Sequence, residues 1–304
     1  MSSQKFFECS DSISRRKFIV ASSAIMGASL LPKTATARTT HEQLTVQQVI
    51  DLIIKNIPNA PFKQTIDSLK TGNGEMVVNG IVTSMFATLP VIEKAVALKA
   101  NFIIVHEPTF YNHADETEWL SHNEVYLQKR ELIDENNIAI WRCHDYLHTQ
   151  QLDGVQQGVV DALGWKNYYN ASEPKVINLP GMSLGQLIEH LKNKLRVKTV
   201  RYIGDKKQTC KKILLIPGAM DGRAQMKLIA EKKPDVLVCG ELREWETAEY
   251  VRDARALGQQ TSLIVVGHAA SEEPGLEWLK NWLQPQVGNI AVTHIPSESP
   301  FAWQ

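Results

Sequence analysis

Phe102-Ile103-Ile104-Val105-His106-Glu107 runs four apolar residues straight into an imidazole and a carboxylate. An apolar run this short, with no polar alternation, reads as a strand covered on both faces, as in a parallel sheet flanked by helices. Two other segments share the design. Ile138 to Arg142 leads into Cys143-His144-Asp145 and then His148, and Leu263 to Val266 leads into Gly267-His268 and then Glu272.

Working outward, helical and strand patterns alternate. Thr45 caps a helix whose Val46, Val49, Ile50, Ile53 and Ile54 share one face, and Met76 to Thr83 reads as a buried strand. Helices are expected over Leu89 to Leu98, Glu124 to Glu135 and Val155 to Leu163, and residues 165–182 read as a connection. The second half repeats the pattern, with helices over Leu184 to Leu195, Ala224 to Lys232, Glu244 to Leu257 and Leu276 to Leu283. Its strands are Thr199 to Ile203, Lys212 to Ile216, Val236 to Cys239, Leu263 to Val266 and Ile290 to Ile295. The class is therefore α/β.

In such sheets ligands bind beyond the carboxyl ends of the strands, so three separate segments deliver histidine and carboxylate to one level. That donor set suits a divalent transition metal (Zn, Mn, Fe or Ni) better than calcium, which prefers oxygen alone. His41, His122, His190 and His294 stand outside the pattern and read as ordinary histidines.

Composition narrows the classes. The chain has 304 residues, 43% apolar, with 33 basic and 33 acidic side chains. No apolar run approaches the ~20 residues of a membrane span. Balanced charge gives no general reason to bind nucleic acid. Residues 1–37 read as an export signal: Arg15-Arg16 precede the mildly apolar Phe18 to Leu31, and Ala35-Thr36-Ala37 offers a cleavage site. This is the twin-arginine pattern of bacterial export, with a periplasmic or secreted destination. Cleavage removes Cys9 and leaves Cys143, Cys210 and Cys239, too sparse a set for a disulfide framework. They are expected to be small buried hydrophobes.

The segment His106-Glu107-Pro108-Thr109-Phe110, the block His144 to Gly164, Cys239-Gly240-Glu241 and Gly267-His268-Ala269-Ala270-Ser271-Glu272 together resemble the dinuclear metal-centre family. It is also called the NGG-one-interacting factor three-like, or GTP cyclohydrolase I type 2, family. The likeness runs from about Leu44 to the end, in the short form without an inserted middle domain. It implies two similar α/β halves, roughly 44–165 and 183–304, facing each other across a metal cleft, and a homo-oligomer, a hexamer built from dimers.

Carried over position by position, the family's ligand order His, His, Asp, His, Glu becomes His106, Glu107, His148, His268 and Glu272. Three imidazoles and two carboxylates are kept, with Glu107 able to bridge two ions in place of the missing aspartate. The resemblance makes Glu241 the first general acid or base, ahead of Glu244 and His113. His144 becomes an orienting group or proton shuttle, with Asp145 and Asp153 as substitutes for the aspartate. Trp141, Tyr146 and Trp245 are core or stacking residues.

The family name implies opening of the guanine ring of GTP. With no Walker-type phosphate loop, and with export leading away from cytoplasmic GTP, the expectation is a metal-dependent hydrolase acting on a small molecule. A non-catalytic metal-binding or assembly protein is the alternative. The export reading makes the first prediction. Secreted protein should begin near Arg38, and Arg15→Lys with Arg16→Lys should retain it in the cytoplasm, as followed by cell fractionation and N-terminal sequencing.

Overall fold

The computed structural model describes residues 43–55, 57–150 and 152–302. The export segment and His41 lie outside them. Residues from Gln43 onward form one compact unit.

The first sheet collects β1 (Leu69–Thr71), β2 (Gly80–Ser84), β3 (Phe102–Val105) and β4 (Ala139–Arg142). Helix α1 (Val46–Ile54) precedes them, with α2 (Leu89–Ala97) and α3 (Glu124–Glu135) in the crossovers, and the short α4 (Asp145–His148) and α5 (Gly154–Ala162) follow. The second sheet collects β5 (Val176–Ser183), β6 (Arg201–Ile203), β7 (Thr209–Ala219), β8 (Val236–Glu241) and β9 (Ser262–Val265). Its helices are α6 (Leu184–Leu195), α7 (Gly222–Lys232) and α8 (Glu249–Ala256), and α9 (His268–Leu283) leads on to a last strand, β10 (Ala291–His294).

Strand orders are β1-β4-β3-β2-β10 and β5-β7-β8-β9-β6. β4, β3, β2 and β10 are mutually parallel, as are β7, β8 and β9, and the antiparallel strands β1, β5 and β6 lie at the edges. β10 leaves the second half to pair with β2, Val292 opposite Ile81. The two halves of the sequence therefore share a sheet.

Apolar side chains on both faces of the central strands produce a layered body. Phe102 and Ile104 face one core and Ile103 and Val105 another, as the two-residue period of a strand dictates. The central core joins both sheets through α1, α5, α6 and α9. The outer cores pack the first sheet on α2 and α3 and the second on α7 and α8. Cys143, Cys210 and Cys239 are buried free thiols. Among the described residues no helix is long and apolar enough to cross a membrane.

Several boundaries differ from the sequence reading. Residues 165–182 hold most of β5, whose exposed Asn178, Pro180 and Gly181 break the apolar pattern of a buried strand. β1, only three residues long, leaves no periodic signal. The strand expected from Met76 begins at Gly80. The helix expected from Glu244 opens with a wider π-type turn over Glu244–Ala248. α9 starts eight residues early, because Gly267 supplies no capping side chain and Pro274 lies inside the helix.

α9 lies against β2 and β10 of one sheet and β7 and β8 of the other. It crosses α5 where Gly158 meets Pro274 and Gly275, and a Cβ on Gly158 would collide with the Pro274 carbonyl. Gly158→Ala should therefore cost about 1–3 kcal/mol by overpacking. Gly185→Ala, where a Cβ finds ordinary contact at 3.4 Å from the Lys206 carbonyl, should be neutral or mildly stabilising. Denaturant midpoints of the two variants give the comparison.

Candidate metal centre

The carboxyl ends of β3, β4, β8 and β9 open onto one cleft of about 1360 Å³, lined by Glu107, His144, His148, Glu241, His268 and Glu272 among others. His106 lies at its floor, fully buried. Each element positions its donors by a local device.

α4 is too short to hold itself, and Asp67 anchors it. Its carboxylate accepts from the backbone N–H groups of His144 (2.8 Å), Asp145 (3.1 Å) and Tyr146 (2.8 Å). That cap aims His144 and His148, four residues apart, from the same side of one turn. At the start of α9, His268 and Glu272 are likewise one turn apart, and Gly218 (φ +65°) leaves the space that the Glu272 carboxylate fills.

Four imidazoles are tethered through Nδ1 by groups outside the cluster. His106 Nδ1 lies 3.2 Å from the Cys143 carbonyl, His144 Nδ1 2.9 Å from Asp145, and His148 Nδ1 3.0 Å from Asp153. His268 Nδ1 is 3.4 Å from Glu241. All four Nε2 atoms turn inward to two carboxylates. His268 Nε2 is 3.2 Å from Glu107 and 3.1 Å from Glu272, and His106 Nε2 is 3.7 Å from Glu272. His144 Nε2 and His148 Nε2 each lie 4.0 Å from Glu107 and Glu272 respectively.

Arg142, fully buried at the end of β4, holds Glu107 from behind. Nη2 lies 3.2 Å from Glu107 Oε2, Nε donates to the His106 carbonyl, and Nη1 donates to the His113 carbonyl.

Protonation follows from this arrangement. Burial and the neighbouring imidazoles His148 and His144 keep His106 well below the usual histidine range, hence neutral. Burial would push Glu107 up, but hydrogen bonding and charge from His268, aided by His144 and Arg142, bring it below its ordinary value. For His268, burial pulls down while hydrogen bonds and charge from Glu107 and Glu272 carry it up to about 10. His148 is raised, its burial outweighed by Asp153 and the two glutamates.

Two sets of donor atoms lie within 4.8 Å of one another: His106, His144 and His148, and His106, Glu107 and Glu272. His106 Nε2 is buried without a hydrogen-bond partner. A neutral imidazole with a bare lone pair aimed between carboxylates fits a divalent cation, and tethered Nδ1 atoms are the usual partners of histidines that bind one.

All seven residues singled out from the sequence, His106, Glu107, His144, His148, Glu241, His268 and Glu272, meet at this cleft. His144 puts its Nε2 with those of His106 and His148, and the half-exposed Glu241 rests on His268. Asp145 and Asp153 are not among the donors of either set; they hold Nδ1 atoms. Glu244 is exposed and pairs with Arg201, Trp245 is exposed, and Trp141 is buried against Tyr146. His113 lines the cleft. Asp67 and Arg142 escaped the sequence reading. Arg142 did leave one signal, a charged residue closing an otherwise apolar strand.

A family model for Duf34/NIF3 (NGG1p interacting factor 3) matches residues 44–300, and the chain belongs to that family. A GTP cyclohydrolase 1 type 2 homolog of Clostridium acetobutylicum is 24% identical over 253 residues, 79% of this chain and 90% of that protein. One from Neisseria meningitidis is 25% identical over 252 residues, 81% of this chain and 95% of its own. Among solved structures, a Bacillus cereus protein related to NIF3 superposes with a TM-score of 0.70 at 17% identity, covering 86% of this chain and 100% of that one. A Staphylococcus aureus hypothetical protein gives 0.68 at 21% identity with the same coverage. At these identities the structures share the fold.

The proton held on His268 up to about pH 10 must leave when a cation takes Nε2. Zinc uptake by metal-free protein at pH 7 should therefore release about one proton per chain from His268, and affinity should rise with pH until His268 deprotonates on its own. Calorimetry in buffers of different ionisation heat reads this directly. His268→Ala should lower the proton count.

Proposed function

We propose that this member of the Duf34/NIF3 family is a divalent-metal-dependent hydrolase with a dinuclear centre. The observation that carries the reading is the set of four inward Nε2 atoms around two buried carboxylates, each imidazole fixed from behind through Nδ1. His106, His144 and His148 would hold one ion, and Glu107, Glu272 and His268 a second, with His106 close to both. When bound, the ions supply Lewis acidity, polarising an electrophile and lowering the pKa of water towards neutrality.

The protein's own groups set the conditions for that chemistry. The Nδ1 contacts fix the ring orientations and tautomers, so little reorganisation is needed on binding. The charges of Glu107 and Glu272 offset much of the charge of the ions. Arg142 keeps Glu107 Oε2 turned away from the cluster and leaves Oε1 facing it. Glu241, half in solvent and against His268 Nδ1, is placed to pass a proton between that nitrogen and the cleft.

Two further expectations belong to this proposal: export of the folded, metal-loaded chain by the twin-arginine route, and assembly as a hexamer of dimers.

Elemental analysis of purified protein should find about two ions per chain. His268→Ala and Glu107→Ala should lose most of that content, and His190→Ala, whose ring is stacked on Trp165, should lose none. The loaded protein should then turn over members of a panel of phosphoesters, amides and purine nucleotides. Full metal content with no turnover across the panel would favour a storage or assembly role, and no metal uptake would remove the centre altogether.

A further inference from the structure

The same cleft reaches Thr109 and Lys129, two positions that the metal centre does not use. Lys129 lies on α3, 4% exposed, and its ammonium donates to the Thr109 carbonyl at 2.6 Å. It stands 5.1 Å from the centre of the Tyr111 ring and 5.7 Å from that of Phe110. Among the described residues no carboxylate pairs with it. Asp115, the acid whose field reaches it, is shared between Lys70 at 3.4 Å and Arg142 at 3.8 Å.

A buried ammonium with one carbonyl partner and two faces of aromatic ring is under-compensated, because an isolated charge out of water costs several kcal/mol. Burial accordingly pulls its pKa down to about 8. On the residue whose carbonyl Lys129 holds, 1% exposed, the Thr109 hydroxyl has no hydrogen-bond partner. An ammonium and an unpartnered hydroxyl, on two residues that line one cleft and are joined through the Thr109 carbonyl, supply the donors that recognise an anionic group.

We propose that Lys129 and Thr109 form a subsite for a single carboxylate or phosphate group of a small organic substrate. The proposal deepens the hydrolase reading and rests on it for the word substrate. Thr109 follows Glu107 by two residues, a backbone reach of at most ~7 Å, so the anionic group would sit close to the bond exposed to the metal centre. Phe86, Pro217 and Met220 line the same cleft and would face an apolar body. One buried ammonium suits one anionic group, which selects a compact monoanion or phosphomonoester over a triphosphate.

The test uses the full mature chain freed of metal by chelation, so that an anion cannot bind through an ion. Phenyl phosphate, benzoate and inorganic phosphate are titrated calorimetrically, with benzyl alcohol as the neutral control. Phenyl phosphate or benzoate should bind and benzyl alcohol should not, and which of the two is preferred identifies the group. Lys129→Gln keeps a donor for the Thr109 carbonyl but removes the charge, and should weaken binding about tenfold or more. Thr109→Val should weaken it severalfold. Lys94→Gln, another lysine of the cleft, should bind like the parent.

No binding by the parent, or equal binding by Lys129→Gln, overturns the proposal. If circular dichroism shows Lys129→Gln unfolded, Thr109→Val decides, and an unchanged affinity there overturns it equally. Because metal content is measured separately, loss of the anion site leaves the metal reading standing, and the converse holds as well.

Discussion

Two carboxylates, Glu107 and Glu272, are taken out of water at the same point, and much of the surrounding structure answers that cost. Ionised groups so placed are tolerated only when paired and hydrogen-bonded. Arg142 answers for one oxygen of Glu107. A single imidazolium, His268, answers for the remaining Glu107 oxygen and for Glu272. The arrangement balances without a metal only by committing a proton to His268. A cation taking His268 Nε2 would displace that proton, exchanging one form of positive charge for another.

The fold makes this possible by placing one helix between two sheets. α9 brings His268 and Glu272 from the second half of the chain to His106, Glu107, His144 and His148 from the first. The glycine crossing with α5 sets the depth at which it sits. A shift of α9 by a side chain's width would move both of its donors together, so the packing behind the cleft governs geometry within it. Asp67 plays the same part for α4, and the cleft-facing imidazoles are held by neighbours whose own side chains never enter the cluster.

Much of this was legible in the sequence because it depends on local pattern. Apolar runs that stop on His or Glu reveal both the strand and its functional end, as at Val105-His106 and Val266-Gly267-His268. The α/β class and the donor segments follow from that alone. What escaped is set by distant contacts. β1 and β5 are edge strands without apolar periodicity, defined by their partners more than by their own residues. Asp67 acts on a helix some 80 positions later, and Arg142 reads as an ordinary strand terminus until its fork is seen around Glu107. The early start of α9 was hidden because its first turn is capped by no side chain. For His144 the sequence shows the ring's spacing but not that Asp145 already engages its Nδ1.

The return of β10 to pair beside β2 has a consequence for the order in which the molecule comes into being. The first sheet is begun early in synthesis but takes β10 from far along the chain, His294 lying beside Thr83 at a separation of 211 positions. Nascent chain can collapse around β2, β3 and β4, yet β2 stays an unpaired edge until β10 has been made, a state in which strands are prone to stray pairing. α9, which supplies His268 and Glu272 to the cleft, arrives only just before β10. A chain cut short before Ala291 would leave β2 as the open edge of its sheet.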